Sequence, residues 1–449
     1  MLDKLFCNAI IINHCSRFRA NVGTRDGIIC YLGTDFPESR EQIDLTGRYL
    51  LPGCIDSHLH FQDPGYTDRE DLEHGSAACA AGGITTGISM PMNDPPAVDL
   101  GSYAVSERAY AGRSYIDYAL HIGATSENLD RLAELWSSTG AAAVKLFTCF
   151  SVSDFPYVQD DCLLRAFEIL AQRGGVAMVH AENDAIIKSL EKKLQDEGRN
   201  SGEDYLLSHP IIGENEAIQR VLYFAQRTGV ETVILHVSNA EALEMIHAAR
   251  QRGVKVHAES APHMFAFTQE DIRAQGPYLK FSPVMHDIEN QRRMLSLLGK
   301  GYVQTIASDH SPYTVEEKER GRKNIWLAPN GIPGVQTSLA VFLNAVNAGW
   351  LTLERIAELM SYNPAQIYGL APEKGEIRVG ADADLVAVDM DLVRTFRKEE
   401  ILSKSKWSPY CGMTLKGWPV MTVVRGEIVY RDGRITGKLG HGKYIKRKK

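Results

Sequence analysis

Five short segments constrain this chain more than anything else in it. They are Asp56-Ser57-His58-Leu59-His60, Val144-Lys145-Leu146, the pair Val179-His180-Ala181-Glu182 and Leu235-His236-Val237-Ser238, and Ala307-Ser308-Asp309-His310. Each puts an imidazole, an amine or a carboxylate at the end of an apolar, strand-like run. Parallel barrels carry their chemistry at the strand ends of one face, so the pattern predicts a metal site at a barrel mouth.

The stretch between these segments alternates strand and helix. Val176 to His180 reads as a buried strand. Glu216 to Arg227 has helical apolar spacing at Ile218, Val221, Leu222 and Ala225, with Gly229 as a stop signal. Glu231 to Val237 is again a strand, Ala240 to Arg252 a helix ended by Gly253, and Val254 to Ala258 the next strand. Repeated strand-then-helix with near-continuous apolar strands means a parallel sheet with helices outside. Residues 51–370 leave room for eight such units at ~30 residues each, which favours a closed (β/α)8 barrel.

The two ends differ. Residues 1–50 alternate in short β-like stretches broken by turn signals such as Arg25-Asp26-Gly27. Gly375 to Val388 and Met421 to Tyr430 read the same way. The fold class expected is therefore α/β, a (β/α)8 barrel at 51–370 beside a small β-sandwich domain built by 1–50 and 371–449 together.

Composition narrows the function class. Of 449 residues, 44% are hydrophobic and 23% charged, which suits a globular enzyme, and the net charge of -7 argues against nucleic acid or an anionic membrane as partner. No apolar run approaches the ~18 residues of a membrane span. The eight cysteines include no Cys-x-x-Cys pair, and Met1-Leu2-Asp3-Lys4 lacks the layout of a secretory signal, so a cytoplasmic location is expected. The basic cluster Lys443 to Lys449 reads as a solvated end.

His58 and His60 are two apart in a strand-like run, so both face one side. His180 and His236 end two further runs. One buried histidine is more often a hydrogen-bonded core residue, but two at matching strand ends downstream of His-x-His point to ligands. Asp309 after Val303 to Ala307 suits a ligand or a helix N-cap. Lys145 sits inside Ala141-Ala142-Ala143-Val144-Lys145-Leu146-Phe147. There a cation is costly unless it is paired, loses its charge or snorkels out. A neutral amine can add carbon dioxide to form a carbamate, an anion with two oxygens.

Asp56-x-His58-x-His60, Lys145, His180, His236 and Asp309, in this order, resemble the cyclic amidohydrolases of the amidohydrolase superfamily: dihydroorotase, hydantoinase, dihydropyrimidinase and allantoinase. The likeness runs through Ala80-Ala81-Gly82-Gly83-Ile84-Thr85-Thr86 and Gly380-Ala381-Asp382-Ala383-Asp384-Leu385. It implies two divalent ions and a carboxylated Lys145 bridging them. His58, His60 and Asp309 would hold one ion, and His180 and His236 the other. Zinc is expected, and the donor set also accepts manganese, cobalt or iron. Asp309 would be the catalytic acid and base, and a homo-oligomer, a tetramer, is implied. Some relatives of dihydropyrimidinase are non-catalytic assembly proteins that have lost metal ligands; every ligand position is filled here.

The expected partner is a small cyclic ureide. Dihydroorotase-like chains carry an arginine two residues after the second histidine, to grip a substrate carboxylate. This chain has Gln62. His60-Phe61-Gln62-Asp63-Pro64-Gly65-Tyr66-Thr67, Met90-Pro91-Met92-Asn93-Asp94-Pro95-Pro96 and Asp154-Phe155-Pro156 resemble allantoinase. Phe281-Ser282-Pro283, Pro329-Asn330-Gly331 and Trp407-Ser408-Pro409 resemble hydantoinases, which hold the ring through such serine and asparagine segments. Where many dihydropyrimidinases place a tyrosine, five residues after the lysine, this chain has Phe150. Gln62, Asn93, Ser282 and Asn330 are the expected substrate contacts. The loops beside the ligands put allantoin, opened to allantoate, ahead of a 5-substituted hydantoin.

Overall fold

Runs buried on both faces become the strands of a barrel. The structure is a computed structural model that describes residues 1–151 and 155–448. Its first three barrel strands, Cys54–Leu59, Ile84–Ser89 and Asp117–Leu120, form one parallel sheet. The third strand breaks at His121 and resumes at Ile122–Gly123. From there a six-stranded parallel sheet runs through Val144–Phe147, Val176–His180, Glu231–Ile234, Val256–Ser260 and Thr305–Ile306. A parallel bridge from Leu59 to His310 closes the ring, and the Asp56 carboxylate accepts the Ser308 amide at 3.1 and 3.2 Å. The fold is a (β/α)8 barrel with a β-sandwich built on its side.

Helices cover the outside. Asn239 caps Ala240–Gln251 by accepting the Ala242 amide, and Ile211–Thr228 ends on Gly229 at φ 75°, a left-handed turn that glycine adopts without strain. Three strands differ from the sequence reading for local reasons. Glu231–Ile234 stops short of Val237, because His236 turns into the left-handed region at φ 36°. The amides of Gly253 and Val254 still bond back to the preceding helix, so the next strand starts at Val256 rather than Val254. The last strand shrinks to Thr305–Ile306, although Val303 and Ala307 are buried as expected.

Strands from both ends share one nine-stranded sheet. Tyr49–Pro52 is the join: it pairs parallel with Leu2–Asn13 and antiparallel with Leu385–Thr395. Beneath it the buried Lys374 ammonium donates to Asp117 at 2.8 Å and to Asp384 at 2.6 Å, and Arg425 also pairs with Asp117. That network ties the third barrel strand to the sandwich.

The basic tail is not a solvated end, as its composition predicts. The Tyr118 amide donates to the Lys443 carbonyl at 2.9 Å, and the Ile445 amide returns a bond to the Tyr118 carbonyl at 2.7 Å. The tail thus pairs with the free edge of the third barrel strand. The Arg447 guanidinium donates to the carbonyls of Trp136, Thr139 and Ala141 and lies 3.5 Å from the Trp136 ring centroid. Backbone carbonyls and an aromatic face satisfy the charge that the sequence reading assigned to water. Gly442 lets the tail pass, because a Cβ there would fall 1.8 Å from the Ile116 carbonyl oxygen.

Candidate metal centre

The barrel mouth gathers all six expected ligands. His58 is the last but one residue of the first strand and His60 lies just beyond it, so the pair straddles the strand end. Nε2 of His58 and Nε2 of His60 each lie 3.2 Å from Oδ1 of Asp309. These three side chains could hold one metal ion. The His180 ring is 4.6 Å from that of His236, and His236 is 5.6 Å from His58, centroid to centroid. Lys145, Phe147, Ser282, Ser311 and Asn330 line the same pocket.

Backbone geometry aims two of the ligands. His236 and Asp309 have φ of 36° and 44°, in the left-handed region that β-strands avoid. Each lies just past a strand end, and the reversal turns the side chain toward the mouth. Glu214 pins the turn after His236, accepting the Ser238 amide at 3.0 Å, the Ser238 hydroxyl, and the Asn239 side chain at 2.7 Å. Strain of this kind persists only where the surroundings over-determine it.

The electrostatics suit cations. Burial drives His58 and His236 well below the usual imidazole range, so both rings are neutral, the form able to bind a metal. Nδ1 of His236 is buried with no hydrogen-bond partner among the described residues, an orphan costly to leave. Burial brings the Lys145 amine down to about 8, with Asp309 and Glu259 opposing that shift. No carboxylate lies within ion-pair distance of Lys145 among the described residues; its Nζ sits 4.4 Å from the Phe147 ring. Asp309 is held well below the carboxylate range: burial would raise it, but His58 and His60 outweigh burial. Neutral imidazoles, an ionised carboxylate and an amine free to lose its proton fit divalent metal.

Several supporting residues escaped the sequence reading. Glu259 accepts from His58 Nδ1 and from the Ser57 hydroxyl, and Glu182 accepts from His180 Nε2 and from the Ser282 hydroxyl. Such outer partners fix which ring nitrogen faces a metal. Cys149 joins His180 and Glu182 in a second group that could hold an ion. Glu259 carried the same signal as Lys145, a charged residue in a buried strand.

The four expected substrate contacts divide. Ser282 and Asn330 line the pocket. Gln62 and Asn93 are buried but do not; the Asn93 side-chain amide donates to the Ser106 hydroxyl at 3.4 Å. Phe150 is 55% exposed and does not line the pocket either. Asp154 of the Asp154-Phe155-Pro156 motif lies outside the described residues, as does Lys449. His310, next to Asp309 in sequence, has both ring nitrogens engaged, Nε2 with Glu70 at 3.3 Å and Nδ1 accepting the Gly334 amide at 3.2 Å.

Comparison with known proteins agrees with this arrangement. The amidohydrolase family matches residues 49–429. An L-hydantoinase of Paenarthrobacter aurescens is 36% identical over 453 residues, 100% of this chain and 99% of that one. An allantoinase of Desulfitobacterium hafniense (strain DSM 10664 / DCB-2) is 35% identical over 424 residues, 94% of this chain and 93% of that one. The solved L-hydantoinase (dihydropyrimidinase) from Arthrobacter aurescens superposes with a TM-score of 0.97 at 35% identity, covering 100% of both chains. The chain belongs to the amidohydrolase family of hydrolases.

Proposed function

We propose that the chain opens the ring of a 5-substituted hydantoin to an N-carbamoyl amino acid. The observation that carries the reading is a cavity of about 370 Å3 that adjoins the metal centre and shares Ser151 and Asn330 with it. Tyr205, Tyr313, Trp326 and Leu327 line it. Its size falls among pockets that hold drug-sized ligands, about 300–1,000 Å3. That is far more room than a ureido arm fills, so it favours a bulky substituent whose ring can meet Tyr205 and Trp326, beside the charged Arg69, Lys188, Glu191 and Lys280 that also line the cavity. Allantoin is the second reading, favoured by the loop sequences at 60–67 and 90–96.

The residues divide the work. His58, His60 and Asp309 would hold one divalent ion, His180 and His236 the other, and a carboxylated Lys145 would be shared. When bound, such ions activate a water and polarise the scissile carbonyl. Asp309 starts ionised, takes a proton from the attacking water, and delivers it to the departing ring nitrogen. Ser282 presents its hydroxyl oxygen to the ring as an acceptor, because its proton goes to Glu182. Ser311 lines the pocket, and its hydroxyl has no partner among the described residues, so it is free to donate to a ring oxygen.

The test is kcat/KM on one preparation for 5-arylalkyl hydantoins, unsubstituted hydantoin, allantoin and dihydrouracil. The arylalkyl hydantoins should be the best substrates, and Asp309→Asn should lose at least ~100-fold in kcat. Faster turnover of allantoin than of every hydantoin would install the second reading. No turnover of any ring by fully metallated protein would reject both.

A further inference from the structure

Tyr205 stands in the helix Gly202–Ser208, lines the adjoining cavity with its ring, and does not line the ring pocket. Its hydroxyl nevertheless reaches into the framework of that pocket. Its one proton is shared between two acceptors, the Asn330 side-chain carbonyl oxygen at 2.9 Å and the Phe281 carbonyl oxygen at 3.1 Å. The first contact fixes Asn330 itself, and the second fixes the residue before Ser282.

The two segments are also tied along their backbones. The Gly331 amide donates to the Lys280 carbonyl at 3.1 Å, Lys280 Nζ donates to the Ala328 carbonyl at 2.6 Å, and Lys318 Nζ donates to the Pro329 carbonyl at 2.9 Å. Both lysines are buried without a carboxylate in ion-pair contact among the described residues, an expensive arrangement if all it did was fill space. None of these ties reaches the Asn330 side chain. Among the described residues only Tyr205 does so.

Ser282 is itself anchored, through Glu182, to His180. The chain of contacts therefore runs from a candidate ligand through Ser282 and Phe281 to Tyr205 and on to Asn330. A buried phenol hydroxyl needs partners, and here it spends them on both ring-facing segments.

We infer that Tyr205 is a positioning residue: its hydroxyl sets Asn330 relative to Ser282, so that the two grip one cyclic ureide together. The inference rests on the ring-opening reading above. It adds a residue whose effect on the substrate ring passes through Asn330, with the Phe281 carbonyl as its fixed anchor. The ring of the same tyrosine faces the cavity expected to take the substituent, which places it between the two halves of the substrate.

The experiment is a double-mutant cycle on the metal-loaded protein with Tyr205→Phe, Asn330→Ala and the double variant. Tyr205→Phe removes one oxygen and leaves the ring packed under Lys280, 4.7 Å from Nζ, so the fold is kept. It should raise KM for hydantoin about tenfold, hold kcat within about threefold, and leave the metal content at the wild-type level. The double variant should be no worse than Asn330→Ala alone, the signature of two residues acting as one. Losses that multiply, or an unchanged KM in Tyr205→Phe, would overturn the inference. Hydrogen exchange at the Asn330 side-chain amide reads the contact that Tyr205 makes, without substrate. It should quicken at least about tenfold in ligand-free Tyr205→Phe. Unchanged exchange there sinks the positioning role even if no ring is ever turned over. A wild type that opens no ring, with exchange responding as expected, sinks only the functional reading.

Discussion

The Glu259 carboxylate lies 2.8 Å from Nδ1 of His58, and both side chains are about 1% exposed. The contact leaves Nε2 of His58 as the nitrogen that faces Asp309. Burial, with Asp309 and Asp56 close by, pushes Glu259 up to about 8, so the group is held there at a cost. A carboxylate behind a ligand histidine typically contributes 10–100-fold in metal affinity. Glu259→Gln should weaken metal retention by about that factor. Chelator titration followed by metal analysis checks it, and wild-type retention would remove Glu259 from the metal's support.

Lys145 gives a sharper prediction. Lys145→Ala should lose most bound metal and most activity, with partial rescue by short-chain carboxylic acids that fill the vacated space. The pH dependence has a defined sign. Burial lowers this amine to about 8, so the neutral form able to take up carbon dioxide grows as pH rises through 8 and then levels off. Reactivation of stripped protein with metal, at one fixed concentration of dissolved carbon dioxide, should accelerate over that window. A rate that falls as pH rises would contradict a carbamate.

Substrate charge is the next test. Lys145 is the only cationic side chain among those lining the ring pocket, and its proposed carboxylated form is anionic. A carboxylate on the ring would shed water there without a partner. Neutral hydantoins should therefore exceed dihydroorotate by at least about 100-fold in kcat/KM. Comparable rates would overturn the substrate class and leave the metal centre intact.

The acid limb of stability should report on Asp71. This residue caps the helix Leu72–Ala81, accepts the His74 amide, and pairs with Lys404 at 2.8 Å. Burial alone would raise its carboxyl, but those hydrogen bonds bring it down to about 2. A carboxyl lowered on folding adds stability above its unfolded value near 3.9, and that stability is lost as pH falls through the folded value. Asp71→Asn should be less stable than wild type at pH 7. Denaturant unfolding should show the gap narrowing as pH drops toward about 3. A gap that does not change with pH would assign the loss to the cap geometry instead.

Much of this was readable in the chain because strand ends and apolar runs are local signals. Val176–His180 appears in the structure at the bounds its composition predicts. His236 and Asp309 announce themselves by following apolar runs. Glu259 was legible by the logic applied to Lys145 and was passed over because a glutamate near a strand end looks solvated. Lys318 could not be read, since Glu316, Glu317, Glu319 and Arg320 surround it in sequence; Lys280, between Leu279 and Phe281, carries the same sign as Lys145. Tyr205 is hidden because its partners lie 76 and 125 residues away. The tail deceived outright, because a run of lysines and an arginine carries no sign that backbone carbonyls will neutralise it.

That tail has a consequence for how the barrel is made. Asp117 and Lys443, joined by a hydrogen bond, are separated by 326 residues. During synthesis the third barrel strand emerges long before the segment that pairs with its edge. Until residues 443–447 arrive, Tyr118 offers an unpaired amide and carbonyl to any strand that comes near, its own neighbours or those of another nascent chain. A chain ending before residue 443 would keep every candidate catalytic residue and leave that edge of the third barrel strand unpaired.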